Sequence, residues 1–142
     1  MSDRYLIRDY RDADWAAVEE LWTATGMGGA HRGDTAAVVR RTLDGGARLL
    51  VMEETASRTV VGTAWLTHDH RRSYLHHFGI LPAYQGKKLA NDLMAASLAA
   101  AKEMGLQCKL EVHRENVRAV TLYKKYGFNC LGDYDTYIIR KI

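Results

Sequence analysis

Proline is almost missing from this chain: Pro82 is the only one in 142 residues. Cysteine is nearly as scarce. Cys108 and Cys130 lie inside apolar segments with no CxxC pair, so no disulfide framework is implied and both read as buried thiols. No apolar run approaches the ~20 residues that a helix needs to cross a bilayer. The opening stretch MSDRYLIRDYRDADW is charged throughout, unlike a secretory leader. A cytoplasmic location without membrane association is the expectation. Blocks of like charge are also lacking. Lysines and arginines are scattered and not interleaved with aromatics, which argues against a nucleic-acid surface. The net charge of +3 is mild and suits an anionic ligand. There is no repeat, low-complexity tract or long linker. An apolar share of 47% with 26% charged residues fits one globular domain over residues 1–142.

What is present alternates between strand and helix patterns. Tyr5–Arg8 reads as a short strand. Asp12 or Asp14 can cap a helix whose apolar face is Trp15, Val18, Leu21 and Trp22, spaced by three and four. Gly26-Met27-Gly28-Gly29 ends it, and Asp34 is the expected cap of a second helix, Thr35–Leu43, closed by Gly45-Gly46. Arg48–Glu53 and Thr59–Thr67 read as a hairpin, with Tyr74–Ile80 as the third strand of the meander. A helix from about Gly86 to Met104 carries almost no charge between Leu93 and Ala101, so its place is against the sheet, and Gly105 is a natural stop. The strand Gln107–His113 follows. A right-handed crossover makes it a parallel neighbour of Tyr74–Ile80. A helix Asn116–Tyr126 and a closing hairpin, Phe128–Tyr134 with Thr136–Arg140, complete an α+β (mixed α/β) domain.

The most informative stretch is Ile80–Met94, ILPAYQGKKLANDLM. It reads as a strand end, a turn at Pro82 and a helix start at Gln85-Gly86-Lys87-Lys88. A helix start leaves several backbone N–H groups unpaired at the positive end of the dipole. Glycine lets a bulky anion approach, and two lysines add charge. This combination suits a phosphate or pyrophosphate. Downstream, Asn116 and Tyr123 lie two turns apart on one helix face. Taken singly, Asn116 is a helix cap and Tyr123 a core aromatic.

Together these segments resemble the GNAT superfamily of acyl-CoA-dependent N-acyltransferases. Gln85-Gly86-Lys87-Lys88-Leu89-Ala90 is similar to that family's Q/R-x-x-G-x-G/A loop. Asn116 through Phe128 is similar to its N-x-x-A-x-x-x-Y-x-x-x-G-F segment. The order of elements agrees over the whole chain. One departure is Lys88, where the family pattern has glycine. The resemblance implies a central, mostly antiparallel sheet with one parallel, splayed strand pair and roughly four flanking helices. It also implies an N-acetyltransferase acting on a primary amine by direct attack on acetyl-CoA in a ternary complex, with no metal. A non-catalytic acyl-CoA-binding module is the alternative that Lys88 suggests.

The resemblance further implies roles. The backbone of Gln85, Gly86, Lys87, Lys88, Leu89 and Ala90 would hold the CoA pyrophosphate. The pantetheine arm would pair with the strand edge at Phe78, Gly79 and Ile80, with Gly79 easing the splay. The Phe78 N–H would polarise the thioester carbonyl. Asn116 would bond the pantetheine, and Tyr123 would protonate the departing thiolate. The acceptor ammonium must lose a proton before attack. Glu111, His76, His77 or a water chain ordered by Tyr74 can take it. Glu111 stands five residues before Asn116, as in relatives that acetylate protein N-termini. The place of His76 often holds a glutamate base in relatives. Strand alternation puts His76 and His77 on opposite faces. His68, Asp69, His70, His76 and His77 offer no fourth ligand at zinc-site spacing, so no metal is expected. The Gly26–Gly33 stretch, with His31 and Arg32, is the expected acceptor contact. The exposed strands and the closing hairpin can support a homodimer.

Overall fold

The computed structural model describes residues 3–142. They fall into two compact units, the first ending at Glu111 and the second running from Val112 to Ile142. The first unit contains a five-stranded sheet in the order β1-β2-β3-β4-β5. Its strands are β1 (Tyr5–Asp9), β2 (Arg48–Glu54), β3 (Val60–His68), β4 (Arg72–Ile80) and β5 (Gln107–Leu110). The first three pairings are antiparallel and β4–β5 is parallel, as the crossover argument required.

Three helices belong to this unit: α1 (Trp15–Thr25), α2 (Ala36–Asp44) and α3 (Leu89–Met104). α1 buries Val18, Leu21 and Trp22, the face that the three-and-four spacing predicts. These side chains share one core with Val39 of α2 and with Leu49, Val51 and Trp65 of the sheet. Strand alternation sends Leu50, Met52 and Ala64 to the opposite face, and they are buried too. α3 buries Leu89, Leu93, Met94, Ser97, Ala100 and Ala101 through its uncharged middle. The central strands, covered on both faces, are continuous buried runs. No described helix is long and apolar enough to cross a membrane.

Several boundaries differ from expectation for local reasons. Thr35, not Asp34, caps α2, because its hydroxyl accepts from the Val38 N–H. Asp14 stands at the α1 cap position, but its carboxylate accepts from Arg11 N–H and pairs with the Arg8 guanidinium at 2.8 Å. α3 starts at Leu89, three residues later than expected, after a 3-10 turn at Pro82–Tyr84.

In the second unit, α4 (Val117–Lys125) begins at the Asn116 cap, whose side-chain oxygen accepts from Ala119 N–H at 3.3 Å. Gly127 takes up the left-handed conformation just past its end. The closing hairpin is not formed. Residues 128–142 contain no strand, and Leu131, Tyr134, Tyr137, Ile138 and Ile139 are exposed. A β-rich composition makes a strand only where a partner edge completes the ladder. The support that this hairpin was to give a homodimer is therefore not present. Cys130 is exposed and Cys108 half-buried, so the two thiols are not both core residues. Burial pushes the Cys108 thiol up from its ordinary value.

Candidate active site

The geometry turns on an extra residue in β4. Thr63 pairs with Gly79 and Trp65 pairs with His76, so two steps on β3 face three on β4. His77 and Phe78 share the place opposite Ala64, a β-bulge. His77 carries the strain, with φ of +47° in a region that side chains seldom adopt. The bulge is anchored from beneath. The fully buried Thr63 hydroxyl donates to the His77 carbonyl at 2.8 Å and accepts the Trp22 indole N–H at 2.9 Å.

This bulge cancels the alternation expected of β4. His76 and His77 do not point to opposite faces. Both rings lie against Trp65, at 5.8 and 5.5 Å between centroids. Trp22 stacks on Trp65 at 5.5 Å and meets the His77 ring edge-on at 4.5 Å. Two histidines and two tryptophans therefore form one cluster between α1 and the sheet.

Each histidine has its own polar partner. His76 Nε2 lies 2.8 Å from the Thr67 hydroxyl, and its ring stacks on Tyr74 at 4.3 Å. Burial, and next the neighbouring His77, push the His76 pKa down to about 4, so its ring is neutral at pH 7. Tyr74 hydrogen-bonds Glu111, and its phenol is held well above the usual range by burial first and by that carboxylate second. Glu111 thus reaches the cluster through Tyr74.

His77 Nε2 lies 2.9 Å from Asp34 Oδ2, with both side chains mostly shielded. Asp34 is the residue that the sequence reading misplaced as a helix cap. Because Thr35 performs the capping, Asp34 is released to face β4. The loop between α1 and α2 approaches closely enough because it lacks side chains there. A Cβ on Gly28 would sit 3.1 Å from Asp34 Oδ2 and 3.3 Å from His77 Nε2. A Cβ on Gly79 would meet the Met27 methyl at 2.6 Å, so Gly79 serves this loop's approach. Glu19, Glu20, Thr23 and Asp34 line an open hollow of about 480 Å³ beside Trp22.

The second half of β4 leads to the glycine turn. The ladder to β5 runs only from Arg72↔Gln107 to Leu75↔Leu110. Among the described residues β4 continues beyond it, through Phe78, Gly79 and Ile80, without a registered pair on β5. Gln85 then folds back, its side-chain amide donating to the Ile80 carbonyl at 2.9 Å. Gly86 and Lys88 both adopt positive φ, +81° and +63°. The backbone N–H groups of Gly86, Lys87, Lys88, Leu89 and Ala90 bond no other described residue. Five donors at one helix start are what a multivalent anion needs. Lys88 gives the glycine of the resembling pattern a second reason: the backbone there is left-handed, which glycine adopts freely and lysine does not.

Asn116 and Tyr123 lie in the second unit. Asn116 caps α4 through its side-chain oxygen. Tyr123 packs edge-on against Phe128 at 5.8 Å, and burial raises its phenol pKa.

Comparison with known proteins fits this construction. Residues 11–128 match the model of the Acetyltransferase (GNAT) family. The uncharacterized N-acetyltransferase YycN of Bacillus subtilis is 32% identical over 76 residues, which cover 50% of this chain and 49% of that protein. The chain spans about half the length of the curated relatives it matches. Its fold is that of an acetyltransferase from Streptococcus agalactiae, with TM-score 0.81 and 18% identity over 97% of this chain and 93% of that one. A predicted acetyltransferase from Clostridium acetobutylicum, crystallised with acetyl-CoA, superposes with TM-score 0.74 and 15% identity over 94% of this chain and 96% of that one.

Proposed function

The chain belongs to the acetyltransferase (GNAT) family, and from that premise we propose that it transfers an acetyl group from acetyl-CoA to a primary amine. The observation that carries this reading is the run of five unpaired N–H groups from Gly86 to Ala90, next to a strand that outruns its parallel partner. The pyrophosphate of CoA takes the N–H groups, with Lys87 and Lys88 adding charge. The pantetheine amides run along Phe78, Gly79 and Ile80. The thioester then reaches the bulge, where the Phe78 N–H is the carbonyl donor of this reading and the histidine cluster stands beside it. The fold neighbour that holds acetyl-CoA supports the choice of cosubstrate.

The acceptor enters from the α1–α2 side. Glu19, Glu20 and Asp34 around the hollow have the sign that suits an ammonium. Attack occurs in a ternary complex. The amine nitrogen forms a bond to the carbonyl carbon, the C–S bond breaks, and the thiolate takes a proton. Tyr123, whose phenol pKa is raised by burial, is the acid in this reading for that last step. Neither the exposed Cys130 nor the half-buried Cys108, whose pKa is raised by burial, supports a covalent acyl-enzyme.

Thermal melting and CoA release test this reading. Acetyl-CoA at a hundred times its Kd should stabilise the protein by about 2.7 kcal/mol. Adding a polyamine, an amino sugar, lysine or a peptide N-terminus should then release CoA with one of them. Stabilisation by acetyl-CoA with no turnover on any amine favours the non-catalytic module. Stabilisation by ATP but not by CoA contradicts both. Tyr123→Phe should lower turnover more than CoA affinity.

A further inference from the structure

The attacking nitrogen must shed a proton, and the two clustered histidines and Glu111, tied to them through Tyr74, are three candidate acceptors of unequal standing. We propose that His77, held by Asp34 in one tautomer, takes this proton through Nδ1, while His76 and Glu111 do not. This deepens the acetyl-transfer reading and rests on it.

The argument is geometric. A carboxylate can only accept hydrogen bonds, so the 2.9 Å contact to Asp34 Oδ2 puts the ring proton on Nε2. The lone pair is therefore on Nδ1. That atom makes no hydrogen bond among the described residues, yet Arg8 Nε is the one buried, unpartnered side-chain nitrogen or oxygen there. Nδ1 must then lie where solvent or substrate reaches it. The positive charge gained on protonation is met by Asp34, the arrangement that general-base histidines use. The strained φ of +47° turns the side chain into the cluster, and the Trp22–Thr63 hydrogen bonds hold that conformation.

The competing groups are less suited. His76 spends Nε2 on Thr67 and its ring face on Tyr74, in surroundings that hold it neutral. Glu111 is hydrogen-bonded to Tyr74. The charged or titratable groups in recorded contact with the His77 ring are Asp34, from the segment before α2, and His76 on β4. α1 and β3 contribute the uncharged Trp22 and Trp65. In the step, Nδ1 receives an N–H proton of the acceptor while the nitrogen lone pair bonds to the thioester carbon. The C–S electrons leave on sulfur, and His77 later passes its proton to water.

The test combines imidazole nitrogen NMR with kinetics on the full chain. The NMR arm needs no acceptor: at pH 8, His77 should show a protonated Nε2 and a bare Nδ1. The reverse tautomer overturns the proposal. The kinetic arm uses acetyl-CoA with the best amine of the panel. His77→Gln can still donate to Asp34, and it should lower kcat on the order of 100-fold with the KM for acetyl-CoA nearly unchanged. The acidic limb of the pH–rate profile should vanish with it. Asp34→Asn keeps an acceptor but removes the charge, so it should lower kcat about 10-fold with the KM for acetyl-CoA nearly unchanged. An active His77→Gln enzyme with an unchanged acidic limb overturns the role of His77 and leaves acetyl transfer standing. A wild-type protein that acetylates no amine overturns both.

Discussion

The histidine cluster stands on β4 and the glycine turn follows the end of that strand, and the two are built in opposite ways. Residues 85–90 offer backbone N–H groups from one contiguous stretch, fixed by two positive φ angles and one side-chain tie from Gln85 to Ile80. The cluster gathers Trp22, Asp34, Thr63, Trp65 and His77 from four separate elements and depends on a one-residue bulge. In the proposed reading the first binds by main chain and tolerates substitutions whose side chains point away. In that reading the second acts by side chains, whose positions depend on one another. Cofactor affinity and turnover should therefore respond to different mutations.

Breaking the cluster gives the largest expected effect. His77→Gln should cost about 2.7 kcal/mol of transition-state stabilisation, read as kcat in CoA release, while acetyl-CoA binding stays near wild type. Thr63→Val should follow. It strands the Trp22 indole N–H and the His77 carbonyl in a buried place, costing about 2 kcal/mol of stability in urea unfolding and lowering kcat as the bulge relaxes.

The third expectation concerns acid. His76 titrates at about 4 in the fold against 6.5 when unperturbed, so the unfolded chain binds the extra proton in that window. Stability should fall as pH drops from 6.5 toward 4 and level off below, by about 2 kcal/mol after discounting for partial exposure. His76→Gln should flatten that slope, which melting temperatures across the window would register.

The smallest effect belongs to the other region. Lys88→Gly relieves a left-handed lysine and should raise stability by about 0.5–1 kcal/mol. Acetyl-CoA affinity should change by no more than about threefold, since the N–H donors stay in place. A large loss of affinity would mean that the lysine charge, not the backbone, holds the pyrophosphate.

The same contrast governs what could be read from sequence. The turn was legible because its glycine, its lysines and the strand–turn–helix order are local. The α1 face, the uncharged stretch of α3 and the parallel β4–β5 pair were legible for the same reason: spacing and order suffice. The Asp34–His77 pair was not, because two residues forty-three apart meet only once Thr35 takes over the helix cap and Gly28 admits the loop. The opposite-face reading of His76 and His77 failed at the bulge, which inserts one residue without any sequence mark beyond the glycine two positions on. Residues 128–142 show the converse, a strand-like composition that forms no strand among the described residues. Sequence marks a capacity to pair, and the partner edge decides whether pairing occurs.

The most direct test of acetyl transfer itself is product analysis by mass spectrometry. Wild-type protein would be incubated with acetyl-CoA and the amine panel, with CoA release followed in parallel. The account predicts an acetylated amine formed in step with free CoA, and no CoA release when the amine is left out. Tight acetyl-CoA binding with no acetylated product from any amine would contradict it.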